Sequence, residues 1–214
     1  MINIEHYKQV KQDLPAHTEL CVVSKRRSRE DILAYYDLGE RLFAENKAQE
    51  LLTKTDLKDD IRWSFIGHLQ RNKVRQILPY VSLIQSLDSL ELAEVIEKEC
   101  TRIDKTVDVL AEFHLAVNDT NKTGLDEADA LSFVRACRQF PHLRLTGMMA
   151  MGPHTDDEQE IRRVFMHGQE LFAALQKECG DTFTTLSMGM SHDYRIACTC
   201  GSTMVRIGSY LFED

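Results

Sequence analysis

A chain of 214 residues with 43% hydrophobic and 28% charged residues, only four prolines and ten glycines has the profile of a packed protein and not of a disordered one. Its formal net charge of -8 argues against a nucleic-acid or anionic-membrane partner, because phosphate backbones select basic surfaces, so an anion site has to be local. The start, MINIEHYKQVKQDL, lacks a basic segment followed by an apolar one, and no apolar run is long enough to span a bilayer; the expectation is a cytoplasmic protein.

In chain order, a helix is expected at 2–12, ahead of the first strand. Apolar runs with β-branched character then recur at 20–24, 41–45, 62–67, 82–87, 108–117, 144–151, 184–189 and 204–208, with helical stretches between them. Ser28 with Asp31, and Asp88 with Glu91, have the spacing of helix-opening capping boxes, the second before a helix through Leu92 and Ile96. Across 156–178, Ile161, Val164, Phe165, Leu171, Phe172 and Leu175 fall on one face, and Asp156, Asp157 and Glu158 sit in the first turn, where the helix dipole favours them. Eight strands alternating with helices, without a GxGxxG fingerprint, fit a (β/α)8 TIM-type barrel with an extra N-terminal helix, one domain over 1–214, better than an open doubly wound sheet. The six cysteines form no CxxC and are expected as free thiols, and the eight histidines show no zinc-ligand spacing, so no metal is expected.

In such a barrel the C-terminal strand ends converge on one mouth, and several of them hold unusual chemistry. Lys25 follows Leu20, Cys21, Val22 and Val23 with only Ser24 between. It either opens a solvated basic loop with Arg26, Arg27 and Arg29 or stands partly desolvated as an amine nucleophile. Asn46 is a ligand amide or the N-cap of a helix at 47–53. His68 is an acid/base or the polar opening of a helix near Leu69, and 70–75 (QRNKVR) reads as a solvated helix face. Ser191 follows the seventh strand and is expected to start a helix at 192–200 that Gly201 ends, while Gly208 and Ser209 close the eighth. Two such ends side by side point to an anion site, with glycine letting the backbone approach a ligand. By period-two alternation Arg206 shares a side with Gly208 and points into the barrel, where a ligand acceptor or an acidic residue such as Glu112 would satisfy it.

The segments VVSK, FAENKAQE, WSFIGHLQRNK, SLDSLELA, GMMAMG, LSMGMSHD and GSTMVRIGS, in this order and at these spacings, resemble the pyridoxal phosphate homeostasis protein family, single-domain relatives of the alanine racemase barrel, over about residues 20 to 212. The resemblance implies that Lys25 carries pyridoxal 5'-phosphate as a Schiff base, that Ser191, Gly208 and Ser209 hold its phosphate, and that Arg206 faces the pyridine nitrogen. Asn46 and His68 match motif positions near the cofactor. A partly buried Lys25 would have a depressed amine pKa, which favours attack on an aldehyde. The implied function is a carrier or regulator of pyridoxal phosphate and related B6 vitamers, with pyridoxal-phosphate-dependent apoenzymes as partners and without robust catalysis. The alternative is an alanine racemase-like amino-acid racemase using Lys25 as one base.

This chain departs from the family pattern at Ser209, where threonine is common, at Ala44, where glycine is common, and in the basic RRSR after the lysine. Alanine racemases place a phosphate-binding tyrosine where Arg29 stands here. They also continue into a β-rich domain that supplies an opposing tyrosine across a dimer, whereas this sequence stops at Asp214. Two-base racemisation needs that second group, so the expectation is a carrier, and a monomer.

Overall fold

The computed structural model describes residues 1–115 and 124–212. Eight parallel strands, paired in sequence order, close into a barrel: β1 (Glu19–Val23), β2 (Leu42–Glu45), β3 (Arg62–Phe65), β4 (Val81–Leu87), β5 (Val107–Phe113), β6 (Leu143–Ala150), β7 (Thr185–Ser187) and β8 (Met204–Ile207). Closure comes from β1 pairing with β8, in a register that sets Cys21 against Arg206 and Val22 against Ile207. All eight expected strands are present. Most end earlier than expected: the fifth stops at Phe113, and positions 116 and 117 of its expected span lie outside the described residues.

Period-two alternation divides the strand residues between two cores. Cys21, Val23, Leu42, Ala44, Leu83, Leu110, Met149 and Met204 fill the barrel interior, while their neighbours Leu20, Val22, Phe43, Trp63 and Phe65 join the larger outer core beneath the helices. That outer layer comprises α1 (Ile4–Asp13), α2 (Arg29–Asp37), α3 (Ala48–Leu52), α4 (Val74–Ile77), α5 (Leu90–Ile103), α6 (Ala130–Cys137), α7 (Glu158–Cys179) and α8 (Tyr194–Thr199). Among the described residues no helix is long and apolar enough to cross a membrane.

Helix α7 follows its sequence pattern closely. Asp157 caps it by accepting from the Gln159 and Glu160 amides, and Ile161, Phe165, Leu171, Phe172 and Leu175 are buried. At roughly 1.5–3 kcal/mol per buried large side chain, that stripe alone anchors the helix. Helix α1 buries only Tyr7 and Val10, so polar tethers matter more there: the Asn3 amide donates to the Leu211 carbonyl at 2.8 Å, and Tyr7 Oη donates to Glu40 at 2.7 Å.

Local signals were exact at one of three helix starts and less so at the other two. Ser28 caps α2 as expected, through the Asp31 amide at 3.2 Å. At α5 the cap is Ser89, which accepts from the Leu92 amide, and not Asp88, whose carboxylate is engaged by His68 and by the Ser89 hydroxyl. The last helix begins at Tyr194 and not at 192, with Asp193 in the cap position; Gly201 does follow its end, at φ 87°. The segment 70–75 is solvated except for Val74, the first residue of α4, which is fully buried.

Candidate functional site at the barrel mouth

β1 and β8 are neighbours, so the turn after β1 and the loop after β8 meet at the C-terminal mouth. Lys25 occupies the turn, exposed to solvent, which corrects the expectation of a partly buried amine. The flanking backbone is pinned. The Ser24 amide donates to the Ala44 carbonyl at 3.0 Å, the Arg27 amide to the Ser24 carbonyl at 3.1 Å, and the Arg26 amide to Glu50 Oε1.

Across the mouth, Ser191 Oγ accepts from two backbone amides, those of Gly208 and Tyr210, each at 3.3 Å. Two amides converging on one oxygen form a small nest, the arrangement that also accepts an anionic oxygen. Ser191 is therefore a nest partner and not the N-cap of α8. Asp193 holds that position, and its Oδ1 takes the Met190 amide at 2.6 Å. A Cβ added to Gly208 would come within 3.2 Å of both the Val23 Cβ and its carbonyl oxygen, so the two loops approach as closely as a glycine allows. Ser209 opens the 3-10 turn Ser209–Leu211 and is exposed.

Arg206 points into the barrel and is only 4% exposed. Its guanidinium donates to the Ser187 carbonyl at 2.8 Å, to Ser187 Oγ at 2.7 Å and to the Ala150 carbonyl at 3.1 Å. Burial pushes its pKa down, and the neighbouring Cys21, Glu112 and Asp193 act in the opposite sense. The acidic partner considered from sequence thus contributes charge, while Ser187 and Ala150 supply hydrogen bonds. Cys21, opposite Arg206 in register, has its thiol pKa pushed up to about 12 by burial and stays protonated there.

Asn46 lies between β2 and α3 and does not cap the helix, whose cap position is Lys47. Its backbone is approached so closely by Gly67 that a Cβ at Gly67 would collide with the Asn46 carbonyl oxygen. His68 is exposed, with Nδ1 3.0 Å from Asp88 Oδ2. It borders a cleft of about 670 Å³ that runs to the start of α5, and none of the other expected site residues lines that cleft. The strand order gathers Lys25, Arg206, Ser191, Gly208 and Ser209 on the adjoining ends of β1, β7 and β8, with Asn46 on the other side of β1 after β2, and His68 one strand further on, after β3, turned to Asp88. Arg29, in the position of the racemase tyrosine, turns to Asp56 and the Thr53 carbonyl and is not part of this group.

Two polar clusters had not been expected. Inside the barrel, Ser187 Oγ donates to Gln85 Oε1 at 2.7 Å, and Gln85 Nε2 donates to Ser64 Oγ at 2.9 Å, a buried chain that ends on Arg206. Outside it, Lys54 is buried against Glu45, Glu50 and the Ser24 carbonyl. Burial raises the Glu45 pKa, against the hydrogen bonds from Lys54 and Ser24 that lower it. The i,i+4 spacing of Glu50 and Lys54 was the one available sequence signal for the second cluster.

The family described as alanine racemase, N-terminal domain, matches residues 3–214. The pyridoxal phosphate homeostasis protein of Helicobacter pylori is 38% identical over 200 residues, covering 92% of this chain and 87% of that protein. The Aquifex aeolicus protein of the same name is 36% identical over 198 residues, covering 92% and 86%. Among solved structures, PipY of Synechococcus elongatus without PLP superposes with a TM-score of 0.92 at 30% identity, covering 98% of this chain and 99% of that one; its PLP-bound form gives 0.89. An alanine racemase of Clostridium difficile shares the fold, with a TM-score of 0.83 at 14% identity over 55% of its own length. By sequence match and by architecture, the chain belongs to the alanine racemase N-terminal domain family and, within it, to the pyridoxal phosphate homeostasis proteins.

Proposed function

We propose that this chain, as one barrel domain over 1–214, binds pyridoxal 5'-phosphate at the mouth and serves its homeostasis as a carrier of the cofactor and related B6 vitamers, not as a robust catalyst. Lys25 carries it as a Schiff base; Ser191, Gly208 and Ser209 hold the phosphate; Arg206 faces the pyridine nitrogen. Asn46 lines the opposite side of the β1 turn, and His68 stands at the rim. The protein acts in the cytoplasm as a monomer, with pyridoxal-phosphate-dependent apoenzymes as partners.

The observation that carries this reading is the Ser191–Gly208–Tyr210 nest one strand away from a primary amine. A nest of backbone amides suits a phosphate oxygen and a lysine suits an aldehyde, and pyridoxal phosphate presents both. The names of the relatives and the PLP-bound neighbour support the same choice. Bound there, the cofactor would supply an electron-accepting ring. An arginine donates a hydrogen bond without giving up a proton, so the ring nitrogen stays unprotonated and the electron sink weak.

Titration with pyridoxal phosphate tests this reading. The protein turns yellow and borohydride bleaches the colour; protein that stays colourless contradicts the cofactor assignment. In deuterated buffer L-alanine and L-serine keep their optical purity at the rate seen with free cofactor. Racemisation well above that rate contradicts the carrier assignment and favours the racemase.

A further inference from the structure

Lys54 stands in the run LLTKTDL, yet it is only 4% exposed. An ammonium has three hydrogens, and here each has an acceptor: the Ser24 carbonyl at 3.0 Å, Glu45 Oε1 at 2.7 Å and Glu50 Oε1 at 2.8 Å. Two of these acceptors are tied to the β1 turn a second time. Glu45 Oε1 also accepts from the Ser24 hydroxyl at 2.7 Å, and Glu50 Oε1 also accepts from the Arg26 amide. The residues immediately before and after Lys25 are thus both bound to one buried charge cluster.

A structural role alone explains this cluster poorly. Burying ions carries a desolvation penalty of several kcal/mol per charge, and a well-packed apolar substitute is often as stable or more so. Arg26 moreover has φ 61°, a left-handed conformation that a side chain other than glycine or asparagine adopts only at a cost, and its amide is the one Glu50 holds. Glu45 shares the outer face of β2 with Phe43, whereas Ala44 faces the barrel interior, so the cluster lies behind the mouth and acts on it through the turn.

We infer that Lys54, with Glu45 and Glu50, is a positioning residue that sets the direction from which the Lys25 amine meets an aldehyde at the mouth. The inference rests on the cofactor reading above. In the step it serves, the neutral Lys25 nitrogen adds to the aldehyde carbon. Both nitrogen hydrogens pass to the former carbonyl oxygen, which leaves as water while the carbon–nitrogen double bond forms; nothing is oxidised or reduced.

The test separates capture from binding. Capture is the rate of yellow adduct formation on mixing with pyridoxal phosphate. Binding is the affinity for 4'-deoxypyridoxine 5'-phosphate, which has no aldehyde. In Lys54→Met capture slows about tenfold or more, since displacement of a reacting group by about 1 Å can cost a hundredfold, while analogue affinity stays within about twofold. Glu50→Ala does the same, and Glu50→Gln, whose amide oxygen still accepts from Arg26, recovers most of the rate. Glu50 is partly exposed, so its variants carry the test where Lys54→Met does not fold. Unchanged capture, or capture and analogue affinity lost in parallel, overturns the positioning role. A wild type that forms no borohydride-reducible adduct overturns the cofactor reading itself.

Discussion

The Arg206 guanidinium is bound to both the carbonyl and the hydroxyl of Ser187, and that hydroxyl donates onward to Gln85. An arginine inside a barrel would otherwise be a mobile and expensive charge. Fixed by a serine on the neighbouring strand, it is a directed donor whose position does not depend on a ligand.

Arg206→Glu reverses this arrangement. The new carboxylate faces the Ser187 and Ala150 carbonyls and the acidic Glu112 and Asp193, with no cation in the place of the lost one. Urea denaturation should show a loss of roughly 3–5 kcal/mol, the range for stranding a buried charge. With residue 206 at the ring nitrogen, as proposed above, a carboxylate in the fraction that folds and loads would favour protonation of that nitrogen, and incubation with L-alanine should yield more pyridoxamine phosphate than wild type.

Gly208→Ala tests the close approach of the two loops. Its Cβ would press on Val23 at 3.2 Å, and Val23 leads directly into the Lys25 turn. The stability loss should be small, about 1 kcal/mol as for mild overpacking. Affinity for pyridoxal phosphate should fall about tenfold, or about 1.4 kcal/mol, because the displaced Gly208 amide belongs to the Ser191 nest. Absorbance titration measures the second effect and thermal denaturation the first.

The barrel was legible because its strands are apolar on both faces and its long helices have one-sided stripes, as in α7; neither pattern needs a distant partner to be recognised. The nest was half legible. Ser191 and Gly208 could be picked out at adjoining strand ends, but whether Ser191 capped α8 or received amides from the loop after β8 depended on contacts 17 and 19 residues away. Lys54 was not legible as a buried residue, since a lysine among threonines and an aspartate reads as solvated, and two of its three acceptors arrive from β2 and from the turn after β1. Gln85 was hidden for a related reason: LIQSL is a normal strand run, and only barrel closure sets its amide against Ser187.

Asp13 ties α1 to α8, accepting from Tyr194 Oη at 2.7 Å and from Arg195 Nε at 2.8 Å. Burial pushes its carboxyl pKa up, but the bonds from Tyr194, Gln9 and Arg195 outweigh this and hold it below the ordinary 3.8. A carboxyl lowered on folding stabilises the native state above its unfolded pKa and ceases to do so as pH falls through the folded value. Asp13→Asn should therefore unfold at lower urea than wild type at neutral pH, with the gap closing as pH drops below 3.8. A gap that is constant with pH would remove Asp13 from the acid response.

Burial pushes the thiols of Cys21 and Cys137 up to about 12 and that of Cys100 up to about 11. Only thiolates alkylate readily, so iodoacetamide at neutral pH should leave these three unmodified in the folded protein and label them on unfolding. Mass spectrometry of the peptides reads this directly, and rapid labelling of native Cys21 would mean that the barrel interior is open.

The central claim is that Lys25 captures an aldehyde whose phosphate is held between the ends of β7 and β8. Peptide mass spectrometry after incubation with pyridoxal phosphate and borohydride reduction tests it most directly. The account predicts one dominant reduced adduct on Lys25, absent in Lys25→Ala, a variant that still binds the phosphate through Ser191, Gly208 and Ser209 with reduced affinity. A dominant adduct on another lysine, or none on Lys25, would contradict it.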